Sequence, residues 1–330
     1  MAPKGLALIV FLLLAAFPPL GGDYWTDQAT RYVIFGLFAM SLSLVWGRAG
    51  ILCFGQAMFF GGGGYVMAAL TMGLAGPALA STWVGLVCAV AGAALFAAAL
   101  GYFLFWGRGL SGPYLAIVTL AIAFILEQIV KSWYTLGADN GLWGVPPLDL
   151  GAFGASFELL EPAPRYYVVL AVAAAVYLAL DRMLRSPFGV VLTAVKTNPE
   201  RAAFFGYRVL WIKLTVFVVG AAIAALAGAM FVAIDEFASP TLIGFGLSTE
   251  VLIWVALGGK EMVLAAFLGA VAVRVMEAYF SEFLGEYWLL SLGVVFMASV
   301  VLLPRGLIAT PIAAFAARWR HRRVPAAGDD

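Results

Sequence analysis

Apolar residues run along this chain in long stretches, and the polar residues fall between them in short clusters. The stretches lack the every-other-residue alternation of half-buried strands and are too long for them, so each is read as a helix. Ten are predicted, at about 5–20, 31–47, 54–74, 81–106, 113–133, 166–181, 213–234, 244–258, 262–281 and 287–304. The first and eighth are short for a bilayer crossing, and an interfacial or re-entrant helix is the alternative for each. Two connections are long. One, about 134–165, carries glycine, proline and acidic residues; the other, about 182–212, is the most charged part of the chain.

Composition turns these helices into membrane spans. The 330 residues are 64% hydrophobic and 11% charged, with a mean hydropathy of +1.01. A soluble domain carries about 25% charged residues with which to cover its outside, and this chain has too few. In lipid the outside is apolar and every backbone amide must be bonded internally, as in a helix. The fold class is therefore all-α, a polytopic transmembrane helix bundle of about 8–10 spans.

Charge supplies the orientation. Placing both termini and the loops at Arg48, Arg108, 182–213 and 260–261 on one side gathers most of the 19 lysines and arginines there. Only Arg31, Lys131, Arg165 and Arg274 remain on the other side, which collects acids such as Asp23, Asp139, Glu158 and Glu236. The positive-inside rule then puts both termini in the cytoplasm. The first segment is read as a retained span; a signal peptide with Lys4 as its basic region is the alternative, without a clear cleavage site. Residues 1–310 form one transmembrane domain. Residues 311–330 are a basic cytoplasmic tail whose Arg318, Arg320, Arg322 and Arg323 suit anionic headgroups.

Several function classes drop out. A net charge of +1 gives no electrostatic case for nucleic acid. Cys53 and Cys88 form no paired motif, and His321 is the one histidine, so neither a histidine triad nor a histidine metal cluster is available. The only Gly-Lys pair after an apolar run is Gly259-Lys260, with Trp254 where a phosphate-cradling loop needs its first glycine and Glu261 where it needs a hydroxyl. No cofactor is expected on this chain, and if ATP drives it the ATPase is a separate polypeptide.

The inner loop contains two short helical stretches. Pro187 suits a first turn, and Val190, Val191, Ala194 and Val195 are predicted to form the apolar stripe of a helix with Thr193 and Lys196 facing away. Asn198-Pro199 breaks it, and a second turn runs from Glu200 to Gly206. Such a segment either docks into a partner's groove or lies on the membrane surface.

Within the spans, Gly61, Gly62, Gly63 and Gly64 stand in a row, each costing about 1 kcal/mol in a helix relative to alanine. Close helix packing or unwinding beside a cavity would explain them. Gln56 is a neutral polar side chain at membrane depth and a candidate for solute contact. Glu127 and Lys131, at i and i+4, and Arg274 and Glu277, at i and i+3, are read as mutual ion pairs. Glu250 opens the eighth span without a near partner in sequence, and is expected either to anchor the membrane interface or to meet Arg31 or Lys131 in space. Trp25, Trp83, Trp133, Trp143 and Trp288 fit interfacial belts.

Five stretches in fixed order carry a family resemblance: 50–65 (GILCFGQAMFFGGGGY), 112–121 (GPYLAIVTLA), 140–146 (NGLWGVP), 185–207 and 303–308 (LPRGLI). Together they resemble the LivM-type permeases of branched-chain amino acid ABC importers, over about residues 30–310. The related urea and short-chain amide permeases share most of the pattern. The resemblance implies half of a translocation pore for a small polar solute, partnered by a homologous LivH-type permease, two cytoplasmic ABC ATPase subunits and a periplasmic binding protein. It implies that residues 185–207 couple to the ATPase, with Arg185, Pro187, Phe188, Gly189, Glu200, Arg201, Ala202, Ala203 and Gly206 as the residues concerned. It also implies that the glycine-rich spans line the path, with Gln56, Gly61, Gly62, Gly63, Gly64, Thr119 and Asn140 as candidates. Gln56 departs from the histidine that many relatives carry, Lys260-Glu261 departs from their small residue, and 253–259 and 286–293 lean towards the urea branch. A stand-alone secondary transporter or channel would need a midplane carboxylate. Glu127 is the candidate for that role, next to a neutralising Lys131.

Overall fold

The computed structural model of the chain describes residues 4–74, 76–106, 112–151, 158–287, 290, 293–294, 297, 306–310 and 312. The all-α expectation holds. The helices are α1 (Lys4–Ala15), α2 (Pro18–Leu42, continued by a π-helical turn, Ser43–Arg48), α3 (Gln56–Thr71), α4 (Thr82–Phe105), α5 (Pro113–Ser132), α6 (Pro162–Arg185), α7 (Pro187–Thr197), α8 (Pro199–Phe204), α9 (Val209–Asp235), α10 (Phe245–Gly258) and α11 (Val263–Leu284). A two-residue antiparallel pair, β1 (Leu142–Trp143) and β2 (Phe237–Ala238), joins the segments that follow α5 and α9. Proline opens α2, α5, α6, α7 and α8, where a missing N–H is harmless.

Among the described residues six helices are long and apolar enough to cross a membrane: α2 with its π turn, α4, α5, α6, α9 and α11. The expected tenth span at 287–304 and the tail at 311–330 lie outside the described residues, apart from isolated positions. The predicted start of the second span at 31 is corrected, because α2 begins at Pro18 and bends at Gly22, whose φ is 68°. The polar residues that read as a loop are bonded within the helix. Thr26 Oγ1 donates to the Gly22 carbonyl and Thr30 Oγ1 to the Thr26 carbonyl, both at 2.8 Å. Helix α1 packs beside α6, with the Tyr166 hydroxyl donating to the Leu14 carbonyl at 2.7 Å.

Two three-helix units make the core. In α2–α3–α4 the lengths are 25, 16 and 24 residues, and in α9–α10–α11 they are 27, 14 and 22. Each has a short middle helix preceded by irregular backbone, at 49–55 and 236–244. The units run in opposite directions. Arg31, early in α2, pairs with Asp235, the last residue of α9, at 3.1 Å. At the other end, Ser43 donates to the Lys260 carbonyl, between α10 and α11, at 2.9 Å. This is the pattern of an inverted repeat, in which broken helices at matching positions converge near the bilayer centre.

Glycine lets the units interlock. Gly63 lies on the Ala225 backbone, Gly64 on the Val232 side chain and Gly61 on the backbone of 242–243, while α9 answers with Gly228 against the Phe60 carbonyl. Gly62 alone of the four faces open space. Between the units stands an aromatic cluster of Phe35, Phe60, Phe231 and Trp254, with Phe35 and Trp254 ring centres 5.2 Å apart. Substitution separates these glycines. Gly228→Val is expected to lose about 1–3 kcal/mol or more by overpacking, whereas Gly62→Ala is expected to be neutral or to gain up to about 1 kcal/mol. Thermal unfolding of the detergent-solubilised protein reads both.

Candidate functional site

The charged connection after α6 folds into a capped two-helix handle. Arg185 ends α6 with its Nε on Asp181 at 2.6 Å. Pro187 opens α7, and Gly189 sits so close to the Leu184 carbonyl that any side chain there would collide with it. That turn fixes the rotation of α7 and corrects the predicted stripe. The buried face is Gly189, Leu192 and Val195, with Phe188 partly covered, while Val190 is 71% exposed. Asn198 then caps α8, its Oδ1 accepting from the Arg201 N–H at 2.9 Å. Gly206 ends the handle with φ 85°. Ala202 packs inward, and Glu200, Arg201, Ala203, Phe204 and Phe205 are exposed. Two bare phenylalanines beside an acid and a base make a surface that suits a protein groove.

A clamp ties the handle to both core units. Lys196 does not face away; its Nζ donates to the Gly47 carbonyl at 2.8 Å and to Glu261 Oε1 at 3.0 Å. Gly47 lies in the π turn of α2, and Glu261 in the turn between α10 and α11. The Gly47 Cα presses on the Lys260 carbonyl with no room for a side chain, and Lys260 Nζ stands 5.0 Å over the Trp46 ring. The Lys260-Glu261 pair is thus the anchor of α7. The Lys196 hydrogen bond holds the Glu261 carboxyl below its ordinary range.

The predicted path residues divide among three places. Gln56, the first residue of α3, is buried; its Nε2 donates to Ser41 Oγ at 3.1 Å and to the Gly220 carbonyl at 3.2 Å, joining α2, α3 and α9. Its Oε1 has no hydrogen-bond partner among the described residues. Thr119 on α5 is near it, accepting from the Phe54 N–H at 3.2 Å and donating to the Ala116 carbonyl at 3.0 Å. Asn140 lies apart in an exposed turn, where its carbonyl accepts from the Trp143 indole at 3.0 Å. Of the four glycines, Gly63 and Gly64 serve the α3–α9 contact and Gly61 the contact with 242–243.

A cleft elsewhere gathers three charged residues of the spans, Glu127, Glu250 and Arg274. Its volume is about 560 Å³ and its lining includes Phe35, Phe124, Phe231, Glu127, Glu250 and Arg274, with the 241–247 segment at one wall. Both expected ion pairs are present, Glu127–Lys131 at 2.7 Å and Arg274–Glu277 at 2.6 Å. Glu250 meets neither Arg31 nor Lys131. Its partner is Arg274, at 3.7 Å, because Arg31 is already paired with Asp27 and Asp235. The guanidinium of Arg274 stacks over Phe35 at 4.3 Å and Trp254 at 5.5 Å. The signal for this cleft was present in the sequence as rare charges at membrane depth, without a clue that Glu250 and Arg274 meet.

A family model described as branched-chain amino acid transport system / permease component matches residues 25–302. The chain belongs to that permease family. It is 30% identical over 329 residues to the high-affinity branched-chain amino acid transport system permease protein LivM of Escherichia coli K12, covering 92% of this chain and 74% of that protein. The LivM protein of Salmonella typhimurium LT2 matches to the same extent. A probable LivM protein of Methanocaldococcus jannaschii is 28% identical over 228 residues, covering 60% of this chain and 64% of that one. No solved structure matches the permease.

The clamp has a pH signature. A carboxyl whose folded pKa lies below its ordinary value of 4.5 adds stability above that value and loses it as the pH falls through the folded pKa. The gap in melting temperature between the wild-type permease and Glu261→Gln is therefore expected at pH 7, and to close on acidification below 4.5. A gap that persists at acid pH contradicts the Lys196–Glu261 link.

Proposed function

We propose that this chain is a permease subunit of an ABC importer that carries branched-chain amino acids across the bacterial inner membrane, with both termini in the cytoplasm. The observation that carries the reading is its likeness to LivM permeases along 92% of its length. The geometry supports it. The α7–α8 handle presents bare Phe204 and Phe205 with Glu200 and Arg201, and its Lys196 is bonded at once to α2 and to the α10–α11 turn. A push on the handle therefore reaches both inverted units, which is what coupling to two states requires. In this reading Arg185, Pro187, Phe188, Gly189 and the buried Ala202 position the handle, and Glu200, Arg201, Ala203 and Gly206 form the surface an ATPase subunit engages. A homologous LivH-type permease completes the pore, two ABC ATPase subunits supply the energy and a periplasmic binding protein delivers the solute. The chain itself acts as a transport subunit and not as an enzyme. Around the path, Gln56 and Thr119 hold the start of α3, Gly63 and Gly64 set how closely α3 and α9 approach, Gly61 does the same for the 242–243 segment, and Gly62 faces open space.

Urea or a short-chain amide is the second substrate reading, motivated by residues 253–259 and by glutamine at 56. Both Gln56 donors are engaged by Ser41 and Gly220, which leaves its Oε1 as the group it could offer a solute. The test is co-purification and transport with the partner subunits. Replacing Phe204 and Phe205 by alanine is expected to weaken ATPase binding by about 2–4 kcal/mol if they fill a groove. ATP-driven leucine uptake is expected to fall in step while the two permeases stay paired. Unchanged uptake in the double variant, or uptake by the chain without any ATPase, contradicts the reading.

A further inference from the structure

The cleft between α2, α5, α9, α10 and α11 has features that helix packing does not account for. Glu127 is compensated twice, by Lys131 at 2.7 Å and by the first turn of α10, because its carboxylate lies against Gly244 in the space a side chain would fill. Arg274 is compensated by Glu277 at 2.6 Å and held flat by the rings of Phe35 and Trp254. Glu250 is left with the long 3.7 Å contact to the same Arg274 nitrogen. On the other side of the pair, Arg274 Nε has no hydrogen-bond partner among the described residues. An underused acceptor and an underused donor thus stand side by side in an aromatic-walled cavity of about 560 Å³. Charges at membrane depth are costly unless met, and cavities of about 300–1,000 Å³ with apolar walls and a few polar groups are the usual form of small-molecule sites.

We propose that this cleft binds the zwitterionic end of an aliphatic amino acid. Glu250 accepts from its ammonium, the free edge of Arg274 donates to its carboxylate, and Phe35, Phe124 and Phe231 hold its side chain. The proposal rests on the transport reading above and adds to it the place and the recognising groups. A zwitterion reciprocates both unmet groups at once. A neutral amide offers no charge to Glu250, so the site also favours an amino acid over urea. Position agrees, since the cleft lies where residues from both inverted units meet the irregular segment before the short helix α10. Phe231 comes from α9 and Phe35 from α2, so a change in the angle between the units changes the cleft. That gives a bound solute differential contacts in two states.

The test uses the complete importer in proteoliposomes, with an unaltered binding protein so that delivery is the same for every variant. Leucine uptake and ATP hydrolysis stimulated by the loaded binding protein are read together for wild type, Glu250→Gln and Glu250→Asp. Losing one charge-assisted hydrogen bond is expected to lower uptake per ATP roughly tenfold in Glu250→Gln, with hydrolysis retained and Glu250→Asp partly restored. Equal uptake per ATP in wild type and Glu250→Gln overturns the site and leaves the transport reading standing. A wild-type complex that moves no leucine overturns both. If Glu250→Gln does not assemble, a cysteine at the cleft wall decides instead. Thr241→Cys in a Cys88→Ser background is expected to react more slowly with a maleimide when leucine-loaded binding protein is added. Unaltered labelling overturns the site.

Discussion

Where α3 meets α9, backbone lies on backbone. The Phe60 carbonyl fills the space a side chain at 228 would take, and the Ala225 backbone does the same for position 63. Between helices in lipid there is no hydrophobic drive to bring them together, and close van der Waals contact through small residues takes its place. That contact sets the distance between the two inverted units. It also fixes how the aromatic cluster of Phe35, Phe60, Phe231 and Trp254 fills the space beside it and where the irregular segments before α3 and α10 come to lie. The backbone freed by those segments is met by side chains of neighbouring helices, as with Thr119 and the Phe54 N–H. Without such partners bare amides at this depth would be untenable.

The two ends of the bundle use their polar residues differently. At one end, Arg31 and Arg165 meet Asp27, Asp235 and Glu236, drawing together the starts of α2 and α6 and the end of α9. At the opposite end, Lys196 reaches the π turn of α2 and the α10–α11 turn, and Lys260 lies over Trp46. A π turn disturbs regular helix bonding and often marks a functional position. Here it is where the handle grips the core, so a displacement of α7 arrives at a part of α2 that is already irregular.

Much of this was legible in the chain. Long apolar runs gave the helices, and the i, i+4 and i, i+3 spacings gave the Glu127–Lys131 and Arg274–Glu277 pairs. Pro187 and Asn198-Pro199 gave the handle. The failures were at places where a long-range contact overrides local pattern. Residues 21–30 looked like a loop because they are polar, yet their threonines bond along the helix and Arg31 reaches Asp235. The stripe of α7 was misread because the rotation is set by Gly189 against Leu184, which periodicity does not contain. Lys196 looked solvent-facing because both its partners, at 47 and 261, are far away in sequence. For the candidate path residues the pattern could not say which part of the fold each occupies. Gln56 and Thr119 share one junction, Asn140 lies in a distant turn, and the charged cleft came from residues on five different helices.

The proposed transport requires the handle and the β1–β2 turn to lie on opposite faces of the membrane, with the handle in the cytosol. Single cysteines at Ala203 and at Trp143, in a Cys88→Ser background, report this through a membrane-impermeant maleimide. The inverted-unit architecture requires Ala203→Cys to react only in inside-out vesicles and Trp143→Cys only in intact spheroplasts. Reaction of both from one face, or of Ala203→Cys from outside, would place the handle beyond the reach of any cytosolic motor.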